Sequence, residues 1–286
     1  MIAASLAVGP TGTAAAGPVH AVTSFAPQPG SGYTAITPLR VLDTRDGTGA
    51  GGRIGPLGPG NTVSLDLSSV VPATATAVVL NLTGTDVTAR TQIVAWPADG
   101  TGTVPAVSDL SLTPGLVTAN LVTVQYLGSA VNLSNRTSSV DLVADLEGYY
   151  SPSSPVAYHP VSPQRVLDTR DGTGTGGRIG PLGANTTLSL DLSSAVPATA
   201  SAVVLNLTGT DVTDVTYVTA WPDPVTRPLA SNLNLVAGQV APNLVTVAVG
   251  ASRVVDLYNH TGSLDLVADL AGYYSTDPGA MFTALR

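Results

Sequence analysis

The chain has 286 residues, of which 44% are apolar and only 10% are charged, and its net charge is −8. All 11 basic residues are arginine and cysteine is absent, which excludes disulfides, thiolate metal sites, Cys nucleophiles and lysine Schiff bases. An acidic chain without a basic cluster is also a poor partner for nucleic acid or an anionic membrane.

Residues 1–32 differ from the rest of the chain and are rich in Ala, Gly and Thr. Ala14-Ala15-Ala16 before Gly17 resembles a signal-peptidase site, although no basic residue precedes Arg40. We expect a signal-like segment or a flexible N-terminal arm, and an extracellular or cell-surface location. No apolar run approaches the ~20 residues that span a membrane, so no membrane insertion is expected.

One hexapeptide, Arg-Val-Leu-Asp-Thr-Arg, occurs twice, at residues 40–45 and again at 165–170. Each copy runs into the same Asp-Gly-Thr-Gly turn, and the copies are 125 positions apart. That offset is a domain length, so the sequence predicts a duplication. We place repeat 1 at residues 33–150, a linker at 151–157 and repeat 2 at 158–274.

Apolar and polar residues alternate through most of each repeat, as in Val63, Leu65 and Leu67, which is the period of strands with one buried face. Turn signals such as Gly58-Pro59-Gly60 separate these runs. The pattern favours an all-β fold of two tandem antiparallel sandwiches, jelly-roll-like, with an immunoglobulin-like sandwich as the alternative. The strands of repeat 1 are predicted near residues 36–44, 62–67, 76–84, 91–96, 107–112, 119–127, 129–134 and 139–149.

Several motifs recur in the same order in both repeats. After the hexapeptide come Val-Val-Leu-Asn-Leu-Thr, Ala-Trp-Pro, Asn-Leu-Val-Thr-Val and a closing Gly-Tyr-Tyr. In this order, residues 33–274 resemble a tandem β-repeat of secreted actinobacterial cell-surface proteins. The resemblance implies an exported, non-catalytic surface module, of a kind found in arrays or appended to extracellular peptidases, amidases and glycosidases.

The charged residues of the hexapeptide are the first candidate site. Strict alternation places Asp43 and Arg45 on one strand face, about 6.6 Å apart, and Arg40 on the other. They form either a polar binding site or a buried arginine–carboxylate pair that fixes strand register, and we favour the pair, whose disruption by loss of Arg45 would cost roughly 3 to 5 kcal/mol. The structural set over both copies is Arg40, Asp43, Arg45, Arg165, Asp168 and Arg170.

The glycine-rich turn is also a candidate calcium site, because carboxylates flank it. The candidates are Asp43 and Asp46, with Asp168 and Asp171 in the second copy, but the spacing and closing Glu of an EF-hand are missing. No metal site or cofactor is therefore predicted.

Catalysis has little support in the sequence. Asp141 and Asp145 share a strand face but lie about 13 Å apart, beyond the roughly 5 to 9.5 Å of glycosidase pairs. His20, His159 and His260 have no histidine counterpart in the other repeat, so a role that both repeats perform cannot rest on them. We predict no catalytic residue.

Aromatic residues give the second candidate site. Trp96 and Trp221 are counterparts, and Tyr217 shares strand parity with Trp221, whereas repeat 1 has Gln92 at that position. Exposed aromatics on a sandwich stack on sugar rings, while buried ones belong to the core, and both interpretations are open. Trp96, Trp221 and Tyr217 are our glycan-stacking candidates.

The tail, residues 275–286, resembles the start of a third repeat, since Phe282-Thr283-Ala284-Leu285 parallels Tyr33-Thr34-Ala35-Ile36. We expect either a truncated array or a strand that Phe282, Thr283, Ala284 and Leu285 donate to a neighbouring molecule, building polymers by self-association.

The main functional expectation is a non-catalytic structural or adhesive protein of the bacterial surface. The alternative is a carbohydrate-binding module for cell-wall or extracellular polysaccharide, and the third is an appendage of a secreted hydrolase.

Overall fold

The computed structural model describes residues 30–284, and all regular structure in this range is antiparallel β-sheet. In the described range, no helix is present that could cross a membrane. The strands of repeat 1 are β1 Gly32–Asp43, β2 Thr62–Asp66, β3 Ala77–Thr85, β4 Thr91–Pro97, β5 Leu110–Leu112, β6 Thr118–Gln125, β7 Ala130–Asn135 and β8 Asp141–Ser151. Those of repeat 2 are β9 Ala157–Asp168, β10 Thr186–Asp191, β11 Ala200–Thr210, β12 Thr216–Pro222, β13 Leu233–Leu235, β14 Ala241–Ala248, β15 Val254–Asn259 and β16 Asp265–Ser275.

Both repeats have the same strand order. In repeat 1 one sheet runs β1-β8-β3-β6 and the other β2-β7-β4-β5, and repeat 2 has the equivalent sheets β9-β16-β11-β14 and β10-β15-β12-β13. Two four-stranded antiparallel sheets connected in this way form a jelly roll. The predicted all-β fold of two tandem eight-stranded sandwiches is confirmed. The immunoglobulin-like alternative is wrong, because that fold groups its strands in a different order.

Each sandwich has its own apolar core, built by the inward residues of the alternating pattern. Leu65 and Leu80 of repeat 1 and their counterparts Leu190 and Leu205 of repeat 2 are fully or almost fully buried. Burial of a Leu side chain contributes about 1.5 to 3 kcal/mol, so these two cores are the main source of stability.

The glycine-rich turn after each hexapeptide needs glycine at one position. Gly49 and Gly174 have φ of 63° and 69°, and a Cβ there would lie 1.9 Å from the Val41 carbonyl oxygen and 2.0 Å from that of Val166, respectively. No other residue fits, so the turn closes tightly against the strand that carries the hexapeptide.

The sheet that contains β3 packs against the sheet that contains β11 of the other repeat, so each covers part of the other's outer face. In β3 every residue from Ala77 to Gly84 is buried, although only alternate residues reach the core of repeat 1. A third apolar cluster fills the junction and contains Tyr33, Ala77, Val79, Tyr150, Ala202, Val204 and Tyr274.

Tyrosines at the start and end of each repeat organise this junction. The rings of Tyr33 and Tyr150 lie 5.1 Å apart at 50°, and their counterparts Tyr158 and Tyr274 lie 5.1 Å apart at 51°. The two pairs meet where the Tyr150 and Tyr274 hydroxyls approach to 2.5 Å. The closing Gly-Tyr-Tyr motif therefore joins the repeats as well as ending each one.

The linker and the tail occupy equivalent places beside the first strands. Tyr33 N donates to Val156 O at 2.9 Å, and Tyr158 N donates to Ala280 O at 2.8 Å. The tail then forms a bridge with the start of the described chain, where Ser31 and Phe282 exchange two backbone hydrogen bonds. Phe282 also stacks on Tyr150, with ring centroids 4.1 Å apart.

Of the strand-exchange candidates, Phe282 is thus held by its own chain, and Thr283 and Ala284 follow it along the same surface. Leu285 and residues 1–29 of the signal-like segment lie outside the described residues, while Ser31 and Gly32, placed in that segment by the sequence, belong to the bridge with Phe282 and to β1.

Candidate binding cleft between the repeats

The hexapeptide of repeat 1 forms a compact charged corner. Asp43 is 4% exposed and accepts hydrogen bonds from Arg45 Nε at 2.8 Å, Arg45 Nη2 at 2.6 Å and Arg40 Nη1 at 3.2 Å. Strict alternation would have separated Arg40 from Asp43, but a register shift between Arg40 and Leu42 brings them together. Strand alternation therefore mispredicts the face of Arg40, because a bulge adds a residue to one strand.

The corner is repeated closely in the second hexapeptide. Asp168 accepts from Arg170 Nε at 2.8 Å, Arg170 Nη2 at 2.7 Å and Arg165 Nη1 at 2.9 Å. The hydrogen bonds from Arg170 lower the pKa of Asp168 to about 2. In both copies the carboxylate is buried while the outer arginine, Arg45 or Arg170, is half exposed.

The two corners differ in what covers them. Arg40 Nε donates to Asp145 Oδ1 at 2.8 Å, and the Asp145 side chain is fully buried because repeat 2 lies over it, with Ser231 N donating to its Oδ2 at 3.1 Å. The equivalent Asp269 side chain remains 30% exposed. The hexapeptide of repeat 1 is therefore part of the junction, and that of repeat 2 faces solvent.

A cleft of about 430 Å³ opens at this junction. Repeat 1 contributes the hexapeptide corner and the end of β3, and repeat 2 contributes the outer face of β12 and the segment that precedes β13. The polar and aromatic side chains lining it are Arg40, Arg45, Thr83, Thr85, Thr216, Tyr217, Thr219, Arg227, Ser231, Asn234 and His260, and apolar residues such as Val117 and Leu229 complete the wall.

Aromatic rings form the repeat 2 side of the cleft. Tyr217 stacks on His260, with ring centroids 4.5 Å apart at 22°. Behind them, the Arg227 guanidinium lies 3.5 Å from the centroid of Tyr258, whose hydroxyl donates to Asn185 Oδ1 at 2.7 Å. A cation this close to a ring face is held by cation–π attraction, which orients Arg227 at the cleft.

Repeat 1 lacks this aromatic wall. His260 N donates to Tyr217 O, and the same backbone bond in repeat 1 joins Arg136 N to Gln92 O, which identifies the counterparts. Tyr217 and His260 are therefore replaced by Gln92 and Arg136. The cleft therefore forms from the two repeats together and not from either repeat alone.

A buried polar network closes the floor of the junction. Asn232 Nδ2 donates to Glu147 Oε1 at 3.0 Å, and Asn243 Nδ2 donates to Asn81 Oδ1 at 2.8 Å. Asn81 Nδ2 in turn donates to Ser231 O at 2.5 Å. Glu147 is fully buried, its Oε2 has no hydrogen-bond partner among the described residues, and burial raises its pKa well above the usual range.

Two of the three glycan-stacking candidates are covered. Trp96 and Trp221 are each 5% exposed. Trp221 Nε1 donates to Val225 O at 2.8 Å, within the segment that folds over it. Neither indole offers a face to a sugar in this structure, whereas Tyr217 lines the cleft.

The acidic candidates are already engaged by protein groups. Asp43 is held by two arginines, Asp46 accepts from Thr48 N at 2.9 Å, and Asp171 accepts from Thr173 N at the same distance. Asp141 accepts from Thr44 Oγ1 at 2.8 Å. Within residues 30–284, no three acidic or histidine side chains converge as a metal site.

Sequence reasoning missed Arg227, His260, Glu147 and Asn232. The sequence feature that could have identified them is that the repeats differ at these positions, since Glu147 corresponds to Ala271 and Asn232 to Asp109. A rule that requires a functional residue to recur in both repeats overlooks these four, although the tyrosines of the same junction do recur.

Comparison with known proteins identifies no family. No family model matches the chain, and no curated protein matches it. Among solved structures, the N-terminal CBM22-1–CBM22-2 tandem domain of Paenibacillus barcinonensis Xyn10C is similar over 84% of this chain and 99% of that one, with 12% identity and a TM-score of 0.26. At that score the match carries no argument about a ligand.

Proposed function

We propose that this protein is a non-catalytic carbohydrate-binding protein of the bacterial exterior, whose ligand occupies the cleft between its two jelly-roll units. The observation that carries the proposal is the placement of Tyr217, stacked on His260, opposite the hexapeptide arginines of the other repeat. A ring of this kind offers an apolar face to a sugar, and the surrounding donors suit its hydroxyls.

The size and composition of the cleft agree with this use. A volume of about 430 Å³ falls in the range of small-ligand sites. Amide and hydroxyl groups from Asn234, Ser231 and Thr83 line the cleft with the aromatic pair. The exterior location rests on the signal-like first segment and on the resemblance of the repeats to secreted surface proteins.

Binding to a panel of neutral and acidic polysaccharides, measured by calorimetry or affinity electrophoresis, tests the proposal. Tyr217→Gln installs the residue that repeat 1 carries and should weaken binding about fivefold or more, since one stacking contact is worth ~1 kcal/mol beyond its area. Tyr273→Gln is the matched control, because Tyr273 also stacks on a histidine, His159, at 4.9 Å but lies outside the cleft. If Tyr217→Gln binds as the parent does, the cleft is not the site.

A structural or adhesive role is the second candidate, and the interlocked junction supports it. Tyrosine contacts and the buried network around Glu147 join the two units, as a spacer of fixed shape requires. Imaging the purified protein distinguishes the structural role from carbohydrate binding, because polymers without glycan binding would favour the structural role. Attachment to a secreted hydrolase is compatible with either.

A further inference from the structure

We infer that the saccharide bound in the cleft is anionic and carries carboxylate groups, as uronic acid polymers do. This inference rests on the proposed function and specifies its ligand. It is carried by the charges that line the cleft.

The charged side chains that line the cleft are all basic, although Asp43 and Asp145 behind them balance the two hexapeptide arginines. The chain has 19 acidic and 11 basic residues, yet the lining includes Arg40, Arg45 and Arg227 and no Asp or Glu. A concave surface lined by one sign of charge concentrates ligands of the opposite sign. An acidic polymer would be repelled elsewhere on this protein and attracted here.

Two arginines at the hexapeptide corner are held in position in advance. Asp43 and Asp145 lie behind them, 4% and 0% exposed, and neither lines the cleft. Arg45 uses Nε and Nη2 on Asp43, so its Nη1 makes no hydrogen bond within residues 30–284, and its side chain is 49% exposed. A fixed guanidinium with free donors loses little entropy when it binds a carboxylate.

The third arginine comes from the other repeat. Arg227 is exposed, lies over the Tyr258 ring, and forms no salt bridge with any carboxylate in the described part of the chain. Its charge is therefore available, unlike that of Arg40, which bridges two carboxylates. Arg45 and Arg227 face the cleft from opposite repeats, with the Tyr217 ring lining it beside them.

This arrangement matches the two chemical parts of an acidic sugar. The aromatic ring packs on the C–H face of the pyranose, and planar guanidinium groups pair with a carboxylate through parallel N–H···O bonds. The counterpart surface of repeat 1 has the guanidinium groups of Arg90 and Arg136 but lacks the aromatic ring, because Gln92 replaces Tyr217.

The test compares polygalacturonate, alginate and hyaluronate, each beside its carboxyl-reduced neutral form, for binding to the full chain by calorimetry. We expect at least one acidic polymer to bind, with its reduced form about tenfold weaker or more. Arg227→Gln should weaken binding of the acidic form by about tenfold. Arg90→Gln is the matched control, because it removes one exposed charge from repeat 1 away from the cleft and should change affinity by less than about twofold.

The outcomes separate this inference from the function on which it rests. Equal binding of acidic and reduced polymers, or binding of neutral glycans alone, would overturn the anionic ligand and leave carbohydrate binding intact. Equal losses in Arg227→Gln and Arg90→Gln would also overturn it, because binding would then follow net charge and not the cleft. Absence of binding to every acidic and neutral polymer tested would overturn both.

Discussion

Asn232 of repeat 2 donates a 3.0 Å hydrogen bond to Glu147 of repeat 1, across a junction in which both side chains are almost completely buried. The equivalent residues, Asp109 and Ala271, could not make this contact. Since repeat 1 alone carries the acid and repeat 2 alone carries the amide, this contact is specific to the docking of repeat 1 on repeat 2.

Glu147 should make stability fall as pH rises. Burial raises its pKa well above 4.5, with a further contribution from Asp145, so the folded protein holds a proton that the unfolded chain releases. A raised pKa gives stability that is complete below pH 4.5 and is lost as pH increases toward the folded value, by about 1.4 kcal/mol per pH unit. Glu147→Gln should flatten this dependence in thermal unfolding measured from pH 4 to 9. An unchanged slope would show that Glu147 is not the titrating group.

Asn232→Asp should destabilise the junction by about 3 to 5 kcal/mol at neutral pH, because it removes the amide donor to Glu147 and buries a new carboxylate that has no basic partner. Asp109→Asn is the matched exchange in repeat 1, where Asp109 Oδ2 only accepts from Ala95 N at 2.8 Å, and an amide oxygen can replace it. Chemical denaturation together with small-angle scattering measures stability and docking. Equal effects of the two substitutions would argue against specific docking.

Arg45→Ala should cost about 1 to 2 kcal/mol, less than the loss of a fully buried partner, because Arg45 is 49% exposed and Asp43 keeps its bond from Arg40. Arg170→Ala should cost a similar amount, since its geometry matches. Urea unfolding gives both values. A loss of 3 to 5 kcal/mol would mean that Arg40 does not compensate the buried carboxylate.

At acid pH, the bonds from Arg170 to Asp168 in the second hexapeptide should cease to stabilise the protein. The pKa of Asp168 is lowered from 3.8 to about 2 by its bonds from Arg170, so this contribution is complete above pH 3.8 and is lost as pH falls toward 2. The stability difference between the parent and Arg170→Ala, followed by thermal unfolding, should therefore shrink between pH 4 and 2. A constant difference would contradict the assignment.

Phe282→Ala should loosen the end of the tail, because the stacked contact with Tyr150 is lost and the residues after Ala280, which stays bonded to Tyr158, then keep two backbone bonds to Ser31. We expect faster proteolysis within the last ten residues and a stability loss of about 1 kcal/mol. Met281→Ala, at a 41% exposed neighbour, is the control. If release of the tail produces polymers by sizing or microscopy, strand donation between molecules becomes the favoured account of the tail.

The sequence was sufficient for the fold of each repeat. Strand β6, predicted near 119–127, lies at Thr118–Gln125, and β8, predicted near 139–149, lies at Asp141–Ser151. The period of two determines which face of a strand is apolar, and duplication gave each assignment an independent check. Both are local properties of the chain.

Only the tertiary structure decided which surfaces of the two repeats dock and that a cleft forms between them. Alternation treats Val79 and Glu147 as outward residues, yet both are buried by the other repeat. Nothing local in the sequence specifies which surface of one folded unit will cover another, because that depends on shapes formed after each core has closed. Arg45 and Tyr217 are 172 positions apart and belong to different units, and they share a cleft only because the two sandwiches dock.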